Sequence, residues 1–250
     1  MSIVASLIQA FRHMSVVLLV AVAAATVFTL WSPASLIPPD VSDAISSALA
    51  TQKGVVETPT PPTATLAPRP IIGIVAGHSG PQNDPGAVCP DGLTEGSINL
   101  DVANRVKATL EGAGYGVDLL NEFDDRLTGY KALTLVSIHA DSCVFINEQA
   151  TGFKVARGLY DRVPEKSDRL VACLTDRYQD RTGLNFHSGS ITFDMTQYHG
   201  FDELDANTPA AIVEVGFLNL DRDLLANHPD LVAQGVAEGI LCYVRNEPVP

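Results

Sequence analysis

Three short apolar runs constrain this chain more than any other feature: Ile71–Ala76 (IIGIVA), Leu133–Ile138 (LTLVSI) and Pro209–Val215 (PAAIVEV). Each is rich in β-branched residues and lacks a polar–apolar alternation, the pattern of a strand covered on both faces. The segments between them carry a helical period. From Glu95, apolar positions at Ile98, Leu100, Val102, Val106 and Leu110 form a stripe near 3.6 residues per turn, with Thr94 as the N-cap and a stop around Glu111-Gly112-Ala113-Gly114. Lys166 to Asp180 and Leu231 to Val244 read as two further amphipathic helices. Gly116–Leu120 and Thr151–Arg157 add strands, and Asp124–Lys131 and Asp221–Ala226 add short helices. Thr182–Asn207 reads as loops with a short strand near Ile191. Strands alternating with helices predict an α/β fold: a mostly parallel sheet with helices on both faces.

The N-terminal region has a different character. Ser15 to Trp31 is an uncharged apolar run, flanked by Arg12 and His13, and no lysine or arginine follows until Lys53. With Met14 it is long enough to span a bilayer, and the flanking charge places the N-terminus in the cytoplasm. The expectation is a single transmembrane signal anchor within residues 1–32, with Trp31 at the outer interface. A cleaved signal peptide, giving a secreted protein, is the alternative. Residues 33–70 form an extracytoplasmic linker. Within it Asp40–Leu49 can make a short helix, and the Pro/Thr-rich TPTPPTATLAPRP is an extended spacer. Residues 71–245 make one extracytoplasmic domain, expected to be monomeric, and 246–250 a short tail. The net charge of -13 argues against a nucleic-acid partner, which would want a basic face.

Chemistry-bearing residues collect where strands stop and helices start. His78 follows the first apolar run within Gly77-His78-Ser79-Gly80, and His139 follows the run 133–138. Glu95 opens the first helix, and Glu214 lies near the end of the run 209–215. Reactive groups in open α/β sheets gather outside the carboxyl ends of the strands, so all four can meet in one crevice. Two imidazoles and a carboxylate make a three-ligand zinc site with a position open for water. A second carboxylate, free of the metal, can then move the proton. Each residue alone has a plainer reading. Either histidine can be an ordinary loop residue, and Glu95 can be a helix-start carboxylate facing the macrodipole. Glu214 is harder to explain away, since a charge among buried apolar residues is costly without a partner.

In combination, GHSGPQNDPGA, Glu95, SIHAD and PAAIVEVGFLN resemble the successive motifs of the zinc-dependent N-acetylmuramoyl-L-alanine amidases of the type-3 family, in order, from about Ile71 to Val244. The resemblance implies that His78, Glu95 and His139 bind Zn2+ and that Glu214 is the catalytic carboxylate. It implies cleavage of the peptidoglycan amide between N-acetylmuramic acid and L-alanine of the stem peptide. Arg126 matches a family arginine and reads as an anchor of its helix or loop. Two departures stand out. Val75-Ala76 replaces the family's usual Asp-Pro before Gly-His, removing an aspartate that could support His78. Asp141 stands where the family often has asparagine, either supporting a ligand or sitting in an exposed loop. An inactive peptidoglycan-binding module and a zinc peptidase acting on stem peptides are the alternative functions.

Four cysteines fit two disulfides in an exported domain. Cys89 and Cys143 each lie a few residues beyond a metal-site motif, and Cys173 and Cys242 fall on predicted helices, so these are the expected pairs. Four buried free thiols is the alternative. Of the remaining histidines, His228 reads as a surface turn residue. His199, near Tyr198 and Phe201, is a candidate for the substrate groove, and His187 has no assigned role.

Overall fold

The computed structural model of the chain describes residues 68–82 and 84–250. The apolar run Ser15–Trp31, the helix expected over Asp40–Leu49 and the Pro/Thr-rich spacer lie outside the described residues. Among the described residues no helix is long and apolar enough to cross a membrane. In chain order the elements are β1 (Ile71–Ala76), α1 (Glu95–Gly112), β2 (Gly116–Asn121), a 3-10 turn (Asp125–Leu127), β3 (Leu135–Asp141), β4 (Lys154–Ala156), α2 (Pro164–Thr182), a second 3-10 turn (Ser188–Ser190), α3 (Phe193–Thr196), α4 (His199–Glu203), β5 (Ala210–Phe217), α5 (Arg222–Asn227) and α6 (Pro229–Val244).

The sheet order is β2-β1-β3-β5-β4. β1 pairs in parallel with β2 and β3, and β3 in parallel with β5, while β4 is antiparallel to β5 at one edge. Alternation along β1 divides the interior. Ile72, Ile74 and Ala76 join the main core with Val102, Val106, Leu110, Leu170, Leu174, Val236 and Ile240 from α1, α2 and α6. Val75 points the other way, to Leu120, Leu127, Leu135 and Ala210, capped by Tyr130, Phe201 and Leu204. The sheet is therefore flanked by helices, with the three long ones together on one face and short elements over the other. His139 and Glu214, in step with Leu135 and Ala210 by the two-residue period, fall on the thinly covered face.

The predicted elements hold with instructive differences. β3 starts two residues later than its apolar run and continues through His139, because the ladder to β5 extends to the pair His139–Glu214. The strand expected over Thr151–Arg157 shrinks to Lys154–Ala156 and runs antiparallel. Asp124–Lys131 forms only a 3-10 turn: the Asp124 side chain caps it by accepting from the Arg126 N–H, and Gly129 breaks it with φ +70°. No strand forms at Ile191; the region folds as two short helices after a single bridge, Phe153 to Phe186. Leu100 is 41% exposed, since it falls out of step with the face set by Ile98, Val102, Val106 and Leu110. Thr94 does cap α1, accepting from the Ser97 N–H at 3.2 Å.

Both expected disulfides are present, Cys89–Cys143 and Cys173–Cys242. The second ties α2 to α6, where the two helices approach at glycine. A Cβ on Gly239 would lie 2.7 Å from the Leu174 Cα. Alanine would gain about 1 kcal/mol of helix propensity, but it must push the two backbones apart, at a cost of about 1–3 kcal/mol. Gly239→Ala is therefore expected to lower stability by up to about 2 kcal/mol, read as a lower denaturation midpoint at unchanged m-value.

Candidate metal centre

The sheet delivers its groups to one edge. After β1, the Gly77 N–H donates to the Ile138 carbonyl at 2.9 Å, which carries the β1–β3 pairing one residue further. His78 then turns sharply with φ +54°, one of only two non-glycine residues with positive φ among the described residues. That conformation costs roughly 1–2 kcal/mol and persists because the surroundings hold it. The His78 N–H donates to Glu122 Oε2 at 2.8 Å. Glu95 occupies the first turn of α1, whose partial positive charge favours a carboxylate there.

His78, Glu95 and His139 bring their ligand atoms to within 4.8 Å of one another. Glu95 Oε1 lies 3.5 Å from His78 Nε2 and 3.2 Å from His139 Nδ1. The other ring nitrogens face carboxylates: His78 Nδ1 lies 3.0 Å from Asp84 Oδ2, and His139 Nε2 lies 3.4 Å from Glu122 Oε2. That second pair is an ionic contact and not an aligned hydrogen bond, and His139 Nε2 is a buried atom with no hydrogen-bond partner. One nitrogen turned to the shared point and one to a carboxylate is how metal-binding histidines are held in orientation. Glu95 is fixed as well, by the Ala140 N–H at 3.2 Å, the Ala87 N–H at 3.1 Å and Asn99 Nδ2 at 3.4 Å.

The backbone around these ligands leaves no room for side chains. A Cβ on Gly77 would sit 2.3 Å from His139 Nε2, and one on Gly86 would sit 2.5 Å from Glu95 Oε2. One on Gly96 would sit 2.5 Å from the His78 carbonyl oxygen. Charge points the same way as shape. Burial disfavours an ionised Glu95, but hydrogen bonds from His139 and the Ala87 N–H hold its pKa below the ordinary value. Burial likewise opposes a charged His139 ring, yet the Glu122 and Glu95 carboxylates outweigh it and push that pKa up to about 10. The pocket of carboxylates demands positive charge, which a divalent cation would supply while displacing the histidine proton. Donor set, orientation and charge all fit zinc.

Glu214 stands across the β3–β5 ladder from His139, just before the register shifts between His139 and Asp141. Such irregularities re-aim side chains beside sites. Some of the residue reaches solvent, but Oε2 is sealed and unpartnered. Burial pushes the Glu214 pKa up to about 7, against the pull of His139 and Lys154. All four expected residues thus come together. Asp141 ends β3 and pairs with the buried Lys154, so it balances that lysine rather than supporting a histidine. Arg126 anchors its turn, bonding Asp124 and the Leu119 carbonyl. His187 bonds Ser190, and His228 lies between α5 and α6. A cavity of about 320 Å³ lies beyond Tyr198, between residues 158–162 and 196–210; it shares Tyr198 with the site but is lined by none of the four.

Several contributors escaped the sequence reading. Asn99 lies one turn after Glu95 on the buried face of α1, where a polar residue amid apolar ones was the available signal. Asp84 lies within the first motif and sets a carboxylate 3.0 Å from His78 Nδ1. Glu122 immediately follows β2, a strand end like those that flagged the histidines. His199 bonds to the site through Glu122, with Nε2 at 3.0 Å from Oε1, and its ring packs on Tyr198 at 4.7 Å.

Two outcomes are expected. Gly77→Ala should displace the His139 ring and weaken zinc binding at least tenfold in a chelator competition, since orientation of the ligands is lost. The second concerns pH. Because the folded pKa of Glu214 is raised, its contribution to stability is intact below about 4.5 and lost as pH rises through about 7. For metal-free protein, Glu214→Gln should therefore raise stability relative to the parent more at about pH 8 than at about pH 4.5, by on the order of 2 kcal/mol. Thermal melts of both proteins at the two pH values measure it.

Residues 72–242 match the N-acetylmuramoyl-L-alanine amidase family. Over 104 residues the chain is 34% identical to N-acetylmuramoyl-L-alanine amidase AmiC of Neisseria meningitidis serogroup B. That stretch is 38% of this chain and 24% of AmiC, so the match spans about a quarter of that relative. The fold is similar to the CwlD amidase of Clostridioides difficile, solved with the GerS lipoprotein (TM-score 0.55, 21% identity, covering 71% of this chain and 99% of that one). It is similar as well to amidase AmiC2 of Nostoc punctiforme (TM-score 0.55, 22% identity, 70% and 97%). With a family match over well more than half of its length, enclosing all four site residues, the chain belongs to the N-acetylmuramoyl-L-alanine amidase family.

Proposed function

We propose that this chain is a zinc-dependent peptidoglycan hydrolase that cleaves the amide between N-acetylmuramic acid and L-alanine of the stem peptide. The observation that carries the reading is the convergence of His78, Glu95 and His139, with Glu214 placed across the ladder from His139 and free of that cluster. The three ligands would hold the ion. When bound, it supplies positive charge that lowers the pKa of a water and polarises the scissile carbonyl.

The chain's own groups carry the remaining work. Glu214 accepts a proton from the attacking water as the new C–O bond forms. It then passes that proton to the nitrogen of L-alanine as the C–N bond breaks, so the amine leaves neutral. Burial, which disfavours the ionised form of Glu214, suits a carboxyl that takes up a proton and then gives it away. Asn99, Asp84 and the backbone N–H groups on Glu95 keep the ligands from reorganising between steps. We further place the domain on the cell-wall side of the membrane, tethered by Ser15–Trp31 and the Pro/Thr-rich spacer. Two disulfides favour an oxidising compartment, which supports that placement.

The test is digestion of purified peptidoglycan with full-length protein, with and without a chelator. Stem peptides freed of sugar, formed only without chelator, are the expected products. Shortened peptides still attached to sugar would identify a peptidase instead, and no products would identify a binding module. Glu214→Gln should retain zinc and lose about 10²–10⁴-fold in turnover; full activity in that variant would remove Glu214 from the mechanism.

A further inference from the structure

Glu122 is buried, yet neither the motifs nor the proton shuttle uses it. Its two oxygens meet three groups from three separate segments. Oε2 accepts the His78 N–H at 2.8 Å and lies 3.4 Å from His139 Nε2. Oε1 lies 3.0 Å from His199 Nε2. A buried carboxylate is costly without partners, and this one faces both histidines of the proposed metal centre. It meets one through the backbone that holds the left-handed turn, and the other through the ring nitrogen pointing away from Glu95.

His199 is fixed in turn. It opens α4, its Nδ1 lies 3.0 Å from Glu203 Oε1 one helical turn on, and its ring stacks on Phe123 at 4.5 Å with an interplanar angle of 17°. Phe123 is the neighbour of Glu122 in sequence, so α4 grips this post-β2 loop at two adjacent residues. Tyr198, next to His199, is buried and packs edge-on against the His139 ring at 5.7 Å. The segment after α2, which carries no recognisable motif, thus reaches the metal centre by two routes: the Tyr198 ring against His139, and His199 through the Glu122 carboxylate.

We propose that Glu122 is a positioning residue for the metal ligands, holding the His78 backbone and the outward nitrogen of His139 together, and that His199 locks Glu122 in that position. The inference rests on the zinc reading above. Glu122 does not touch the ion or the substrate; it sets the angle at which the two imidazoles face Glu95.

The experiment measures zinc affinity of the full-length protein by chelator competition, together with the visible absorption of the cobalt(II)-substituted protein, which reports ligand geometry. Glu122→Gln keeps the shape and an acceptor for the His78 N–H but removes the carboxylate from His139; it should weaken zinc binding about 10–100-fold and shift the cobalt bands. His199→Ala should weaken binding about threefold to tenfold, a smaller loss because the carboxylate remains in place. The double variant should bind no more weakly than Glu122→Gln alone, since both changes act through one group. Unchanged affinity and cobalt spectrum in Glu122→Gln, with His139→Ala abolishing binding, would overturn this inference and leave the zinc reading standing. Unchanged affinity in His139→Ala would bring down both. If Glu122→Gln fails to fold, His199→Ala decides, because its ring is partly exposed: parent-like affinity and spectrum would overturn the inference, and the predicted loss would uphold it.

Discussion

Everything in this molecule depends on the parallel pairing of β1, β3 and β5. Parallel strands end at the same edge of a sheet, so residues far apart in sequence become neighbours without any loop having to bring them together. His78 leaves β1 there, His139 lies near the end of β3, and Glu214 stands opposite His139 in β5. Glu95 arrives at the same edge because α1 runs back along the sheet and starts where β1 stops. The long helices exist, energetically, to bury one face of that sheet. The opposite face keeps only a thin cover, and the ends of β3 and β5 carry polar groups towards it.

Placing three glutamates around one buried histidine creates a charge problem, and its resolution defines the site. Glu95, Glu122 and Glu214 differ in how they are satisfied. Glu95 and Glu122 are held below the ordinary carboxylate pKa, burial notwithstanding, by donors that favour the ionised form. Glu214 has few such donors and is pushed up towards neutrality. Environments that drive like groups apart in pKa separate the roles of ligand or support from that of proton carrier. Cys89–Cys143 joins the loop after His78 to the segment after His139, and so closes the covalent path around the same edge.

Much of the fold was legible because apolar period and burial are locally encoded. The positions of β1, β2, α1, α2, β5 and α6 follow from their own residues, as does the Thr94 cap. What misled was local too. The seven-residue stretch Thr151–Arg157 looks like a strand by composition, but its partner on β5 supports only three residues. Leu100 looks like part of a stripe until the helix is built and its angle counted. The stretch from 183 to 207 has neither period, and short helices form there because Tyr198, Phe201 and Leu204 find cover under the sheet, not because the local sequence demands them.

By itself the sequence determined the donor types and their order: two histidines at strand ends, a glutamate opening a helix, another glutamate inside an apolar run. It determined the cysteine pairs closely enough to be named, and the alternation that makes a parallel sheet. It could not reveal how the ligands are held, because that depends on contacts spanning 44 to 77 residues of chain, such as Glu122 with His78 and with His199. Nor could it show that the Asp84 carboxylate lies 3.0 Å from His78 Nδ1. The clearance around Gly77 and Gly86 is likewise a property of packed backbone. Residue type fixes which bonds a group can make, and only the tertiary structure decides which partner is within 3 Å, because distance along the chain says little about distance in space once a sheet has formed.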